Sequence, residues 1–157
     1  MISFRKAQKS DIPLLIQSRL SLLCSANGLS ESEDLSHIAK NLQQYYASGF
    51  DNNLHTAFLA FDGEIYIGTG GMCYYQVLPT FHNPTGWKAY VINMYTREEY
   101  RKQGIASKIL DLLVSDSLSR GIEFITLEAT NMGRPIYEKY GFVPMSAEMQ
   151  LKNDTYS

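Results

Sequence analysis

The sequence predicts a mixed α/β fold, on three observations. Apolar residues switch from strand to helical spacing and back again along the chain. The middle strand-like runs are joined by a hairpin signal and a loop, with no helical run between them. Beyond them, strand-like and helical runs alternate. The predicted order is strand, helix, helix, three strands, helix, strand, helix, strand.

Each element has its own signal. Residues 2–7 read as the first strand. Ser10-Asp11 starts a helix, and Pro13 is tolerated in its first turn. Ile12, Leu15, Ile16, Leu20 and Leu23 keep helical spacing until Asn27-Gly28 ends it. A polar, acidic link over residues 29–34 follows. Leu35, Ile38, Leu42, Tyr45 and Tyr46 mark a second helix, which Gly49 is expected to close. Residues 56–61 and 65–75 read as strands joined by the turn Asp62-Gly63. Gly68, Gly70 and Gly71 interrupt the second of these. A bulge or a close backbone approach is preferred there to a phosphate loop, because no Gly-Lys-Ser/Thr follows. Residues 76–88 form a loop with Pro79, Asn83-Pro84 and Thr85-Gly86. Residues 89–96 are an apolar strand, 103–118 a helix, 122–129 a strand, 134–140 a short helix and 143–151 a last strand.

The chain has 157 residues, which the length prior reads as one domain spanning 1–157. It is 45% hydrophobic and 19% charged, an ordinary globular composition. The net charge of −2 gives no support to a nucleic-acid partner. No apolar run is long enough to span a membrane, and the N-terminus has no signal-peptide core. The two cysteines suggest no disulfide scaffold, so a cytoplasmic location is expected.

Chemistry concentrates in two segments. In the first, Met94-Tyr95-Thr96 ends a strand, and Arg101-Lys102-Gln103-Gly104-Ile105-Ala106 leads into a helix. The first-turn N–H groups of a helix lack intrahelical partners and carry partial positive charge, so this entry suits a pyrophosphate. In the second, Thr130-Asn131-Met132-Gly133-Arg134-Pro135 leads into Tyr137-Glu138-Lys139-Tyr140-Gly141-Phe142. Together they resemble the GNAT-type N-acetyltransferase superfamily. The family's Arg/Gln-x-x-Gly-x-Gly/Ala motif is met by Arg101, Gly104 and Ala106. Its tyrosine followed by Glu-Lys-x-Gly-Phe is met by Tyr137 to Phe142. The order of elements extends the resemblance over the whole chain.

The resemblance implies a mostly antiparallel sheet, helices on both faces, and two central strands splayed to admit acetyl-CoA as co-substrate. It implies that Met94, Tyr95 and Thr96 line the pantetheine arm. Lys102, Gln103, Gly104, Ile105, Ala106 and Ser107 would hold the pyrophosphate beside Arg101, with Thr130, Asn131 and Gly133 in the second loop. An asparagine often faces the cofactor in that loop, and Thr130 and Asn131 are the two nearest matches here.

Acyl transfer from a thioester to an amine needs positioning, loss of an amine proton and protonation of the thiolate. A phenol can donate to a thiolate. The resemblance assigns that step to Tyr137, with Tyr140 read as a packing residue. For the base, Tyr90 occupies the place where some members carry glutamate. A water chain is preferred, with Glu128 as the alternative and Glu98 and Glu99 as solvated charges. His37 and His55 are poor bases. Cys24 and Cys73 are read as packing residues, which favours direct transfer in a ternary complex over a cysteine-bound intermediate. Tyr74, Tyr75, Phe81, His82 and Trp87, with Asn93, are the candidates for the acceptor side. The aromatic residues serve equally as a homodimer interface. Glu31, Glu33 and Asp34 read better as a solvated helix start than as an amine trap. The expected acceptor is a small-molecule or peptide amine, and no metal is needed. The rival readings are a non-catalytic acyl-CoA sensor and an interaction domain with a vestigial cleft.

Overall fold

A computed structural model describes residues 1–30 and 32–152. Its elements are β1 (Ile2–Lys6), α1 (Ile12–Ala26), α2 (Ser36–Asp51), β2 (His55–Asp62), β3 (Ile65–Gln76), β4 (Trp87–Thr96), α3 (Ile105–Ser119), β5 (Ile125–Leu127) and α4 (Arg134–Tyr140). Single 3-10 turns occupy Lys9–Asp11 and Glu98–Tyr100.

The five strands form one open sheet in the order β1-β2-β3-β4-β5. The first four pair antiparallel, and β5 runs parallel to β4. A two-residue link can only return a strand antiparallel to its neighbour, whereas the crossover through α3 allows a parallel one. On one face Ile12 and Leu15 of α1 and Tyr46 of α2 pack with Ala57 and Leu59. On the other, Ile105, Ile109, Leu110 and Leu113 of α3 pack with Ile67, Met72, Tyr74, Ala89 and Val91.

The β3 glycines serve close approach. A Cβ at Gly70 would lie 2.6 Å from Ile109 Cγ2 and overlap the Met94 sulfur, and one at Gly68 would lie 2.8 Å from the Tyr95 carbonyl oxygen. Gly49 also differs from its sequence reading. It does not close α2, which runs on to Asp51. It lies where the helix passes β2, and a Cβ there would meet His55 Cβ at 2.9 Å.

Two departures from regularity shape the middle of the sheet. Thr69 pairs with Tyr95, but Gly71 pairs with Ile92, so Gly70 opposes both Asn93 and Met94. This is a β-bulge, and Asn93 adopts a left-handed φ of 61° within it. The second departure is on the other edge of β4. Its pairing with β5 covers Ala89, Tyr90 and Val91. Residues 92–96 continue without a strand beside them on that side, so the sheet is split where β5 ends.

Two strand expectations are corrected. The run 122–129 forms a strand only at Ile125–Leu127. Ile122 is instead buried under α3, and its carbonyl accepts the Ser117 hydroxyl at 2.7 Å. Residues 143–151 form no strand. Their alternating apolar side chains Val143, Met145, Met149 and Leu151 are all exposed, so the alternation has no core to bury. Pro144 also removes one ladder donor.

Candidate functional site

The loop between β4 and α3 turns through two left-handed residues, Lys102 at φ 62° and Gly104 at φ 81°. Glycine is at ease in that conformation and lysine is not, so the spacing shows Gly104 in advance but gives no sign of Lys102. Gly104 is the residue that caps α3, yet no side chain caps the helix, and its first turn carries no acid. The first helical bond runs from Lys108 N–H to the Gly104 carbonyl at 3.0 Å. The N–H groups of Ile105, Ala106 and Ser107 precede it and are free of helical partners. A Cβ at Gly104 would have no atom within 4 Å, so the space in front of these amides is open. Lys102, Gln103, Gly104 and Ser107 are exposed, while Ile105 is buried against the core.

Arg101 ties this loop to its surroundings. Its Nε donates to the Thr96 carbonyl at 3.2 Å, and its guanidinium approaches the Met132 sulfur to 4.0 Å. The guanidinium thus spans the end of β4 and the loop before α4. No sequence spacing announces the Met132 contact. In that second loop the Thr130 hydroxyl accepts the Gly133 N–H at 3.1 Å and so supports the start of α4, while Asn131 is exposed.

Tyr137 lies on the inner side of α4. It packs against the α3-side core, with its ring edge-on to Phe142 at 6.1 Å between centroids. Gly133 makes room for it, since a Cβ there would sit 3.1 Å from Tyr137 Cε2. Burial pushes its pKa above the ordinary phenol value, which keeps the proton on. Tyr140 lies with its ring 6.0 Å from that of Phe142 between centroids. It is exposed and donates to Asp111 on α3 at 3.1 Å.

A cavity of about 890 Å³ runs along β5 and is lined by Tyr75, Tyr90, Thr126, Glu128 and Tyr137 among others. Its lining does not include Gly104 or its neighbours, so this cavity and the loop before α3 are separate features. Within it, burial and then the neighbouring Glu128 carboxylate raise the Tyr90 pKa, so Tyr90 stays protonated. Glu128 is exposed in the cavity wall, whereas Glu98 and Glu99 sit exposed in the turn before α3.

The residues named for the acceptor side do not come together. Tyr74 is 4% exposed and donates to Asp116 on α3 at 2.6 Å, and Trp87 packs against the same α3-side core. Tyr75 pairs with Lys88 on the opposite face and is exposed. Phe81 is 91% exposed, with His82 edge-on beside it at 5.3 Å, in the loop before β4. Strand alternation separates Tyr74 from Tyr75, a separation hidden when aromatic residues are counted along the chain. Asn93 stands in the bulge of β4 and is buried. Asp34 accepts the Ser36 N–H at 3.0 Å at the start of α2, and Glu33 is exposed; Glu31 lies outside the described residues. Burial raises the Cys73 pKa, which disfavours the thiolate.

Comparison with known proteins bears on this site. The acetyltransferase (GNAT) family model matches residues 22–142. The chain is similar to the crystal structure of a predicted acetyltransferase with acetyl-CoA from Clostridium acetobutylicum. Identity is 36%, coverage is 97% of this chain and 96% of that one, and the TM-score is 0.88. A GCN5-related N-acetyltransferase from Ralstonia eutropha JMP134 shares the fold at 20% identity, covering 98% and 99% of the two chains with a TM-score of 0.83. Glucosamine-6-phosphate N-acetyltransferase from Arabidopsis thaliana shares it at 15% identity, with 98% and 99% coverage and a TM-score of 0.71. No curated protein sequence is significantly similar to the chain.

Proposed function

Because the chain belongs to the GNAT acetyltransferase family, we propose that it transfers the acetyl group of acetyl-CoA to a primary amine by direct attack in a ternary complex. The observation that carries this reading is the uncapped start of α3 behind the left-handed Gly104, next to a stretch of β4 that β5 leaves unpaired. Free amides at one end and an open strand edge along the side suit a ligand with a pyrophosphate head and an amide-bearing arm. That the Clostridium protein was crystallised with acetyl-CoA supports the choice of ligand.

Placement is consistent with the following roles. Lys102, Gln103, Gly104, Ile105, Ala106 and Ser107 receive the pyrophosphate, and Arg101 braces the loop against Thr96. Met94, Tyr95 and Thr96 offer the free edge of β4 to the pantetheine arm. Tyr137, held protonated by burial, gives its proton to the departing thiolate sulfur as the new amide bond forms. The amine's proton leaves through water, with Glu128, which lines the same cavity as Tyr137, as the alternative acceptor.

Two measurements test this. Calorimetric titration with acetyl-CoA is expected to show saturable binding at one site. A screen of small-molecule and peptide amines that detects free thiol is expected to find acceptor-dependent release of CoA. Absence of binding would favour an interaction domain with a vestigial cleft. Binding without thiol release across the screen would favour an acyl-CoA sensor.

A further inference from the structure

Asn93 combines three properties that its strand does not require. It is 9% exposed, it holds a left-handed φ of 61°, and its Oδ1 is buried without a hydrogen-bond partner. Buried carbonyl oxygens almost always have a donor, so each exception calls for a reason. Among the described residues the one other buried side-chain oxygen or nitrogen in this condition is Thr96 Oγ1. Both lie within residues 92–96, the stretch of β4 that β5 leaves unpaired. Elsewhere, buried polar side chains such as Thr56, Thr69 and Ser117 have their partners.

The bend of the bulge does not account for the asparagine. Glycine would adopt the same φ with less strain and would bury no orphaned oxygen. What asparagine adds to glycine here is the carboxamide. Its oxygen is acceptor-only, so the missing partner must supply an N–H or O–H. Thr96 marks the outer end of the split, because its carbonyl is held by Arg101 beside the start of α3. Three residues of extended chain put Asn93 about 10 Å further in. An arm entering from the helix start therefore passes Thr96 before it reaches Asn93.

Resting on the acetyl-CoA reading above, we propose that Asn93 is a positioning residue for the pantetheine arm, with its carboxamide oxygen accepting one of the arm's amide N–H groups. The arm carries two secondary amides, each with one N–H, whereas the thioester group itself has no donor. The terminal torsion of a carboxamide is broad, so the group turns toward the arm at little cost. The interaction sets how far the arm advances, and hence where the thioester stops relative to Tyr137.

The test uses Asn93→Gly and Asn93→Asp in the full chain, titrated with acetyl-CoA and with adenosine 3′,5′-bisphosphate, which lacks the arm. Asn93→Gly keeps the left-handed backbone and removes the oxygen. It is expected to weaken acetyl-CoA binding by about tenfold and to leave bisphosphate binding unchanged. Its melting temperature should stay level or rise, because an unpaired buried group has been removed. Asn93→Asp keeps an acceptor oxygen and is expected to retain acetyl-CoA affinity. Equal losses for both ligands, a fall in melting temperature alongside the loss, or undiminished acetyl-CoA affinity in Asn93→Gly would each overturn the assignment. If the unsubstituted chain itself fails to bind acetyl-CoA, the broader reading fails with it, and that failure is seen before any variant is made.

Discussion

Around β2 and β3 the buried polar groups answer one another; at the far end of β4 they do not. On the α2 side, the Tyr45 hydroxyl lies 2.7 Å from His55 Nδ1 and 2.9 Å from the Cys73 sulfur. The rings of Tyr45, Tyr46 and Phe50 stand edge-on to His55. On the α3 side, Asp116 accepts hydrogen bonds from Tyr74 at 2.6 Å, Thr56 at 2.8 Å, Lys6 at 2.9 Å and Arg120 at 3.2 Å. Arg120 also lies over the Tyr74 ring, 3.9 Å from its centroid. These clusters fasten helices to the sheet, and among the described residues neither contains a fully buried side-chain oxygen or nitrogen without a partner. Asn93, Thr96 and the uncapped start of α3 have the opposite character. A group satisfied within the chain can stabilise the fold, whereas a buried group left unsatisfied weakens it unless something binds. The contrast separates the parts of this molecule that hold it together from those that wait.

Removing a satisfied hub should have the largest effect, and that effect should fall on stability. Asp116→Ala leaves Lys6 and Arg120 without their shared carboxylate and is expected to destabilise the fold by about 3 kcal/mol or more. Urea denaturation measures this. Acetyl-CoA affinity of the remaining folded protein should hold, and its collapse would mean that the two regions are not separable. Acid acts on the same hub. Burial would raise the Asp116 pKa, but hydrogen bonds from Tyr74, Lys6 and Thr56 outweigh it and hold the carboxyl at about 2. Its contribution is therefore lost only as the pH falls from about 3.8 toward 2.

His55 gives a second stability effect in a higher pH window. Burial lowers its pKa to about 4 from an ordinary value of 6.5. Above pH 6.5 the ring is neutral in both folded and unfolded chains. Between 6.5 and 4 the unfolded chain takes up a proton that the folded chain refuses, so stability drops, by about 3 kcal/mol at full extent. Denaturation midpoints in that range should slope downward in the parent and be flatter in His55→Gln. Equal slopes would show that the buried ring is not the origin.

The next effect belongs to chemistry. Tyr137→Phe should lower turnover by about a hundredfold when transfer is rate-limiting, with acetyl-CoA binding little changed. Tyr140→Phe, which loses an exposed hydrogen bond to Asp111, should lower it only slightly. The pair is assayed side by side on the first acceptor that the amine screen yields. Near-parental turnover in Tyr137→Phe would pass the thiolate's proton to water or another group.

Most helices and strands were legible because period and turn chemistry are local. Asp62-Gly63, the helical spacing of α1 and the loop-to-helix entry at Gly104 need only neighbouring residues. Tertiary partners were not legible. Gly49 looks like a helix stop until β2 is brought beside it, and 143–151 reads as a strand although the structure gives its apolar side chains no core. The site divides in the same way. Gly104 and Tyr137 stand in recognisable strings, but the left-handed Lys102, the Arg101–Met132 contact and the orphaned Asn93 oxygen arise from folding. Tyr74 and Tyr75 read as one cluster because they are adjacent in sequence, and for the same reason strand alternation puts them on opposite faces.

Gly104 offers the smallest expected effect and the cleanest control. Gly104→Glu puts a carboxylate in front of the α3 amides. A Cβ there meets no atom within 4 Å, so any loss of affinity does not come from a clash within the chain. The left-handed φ of 81° is a separate cost, about 1 kcal/mol of stability for a residue with a side chain. Gly104→Asn isolates that cost, since asparagine tolerates the conformation and carries no charge. Acetyl-CoA affinity should fall by at least about tenfold in the glutamate variant, or 1.4 kcal/mol, and clearly less in the asparagine variant. Calorimetry on the two proteins distinguishes the sources. If both lose affinity equally, backbone geometry governs binding at this loop. If neither loses affinity, the open space at α3 holds no phosphate, and the contrast between satisfied and waiting regions rests on β4 alone.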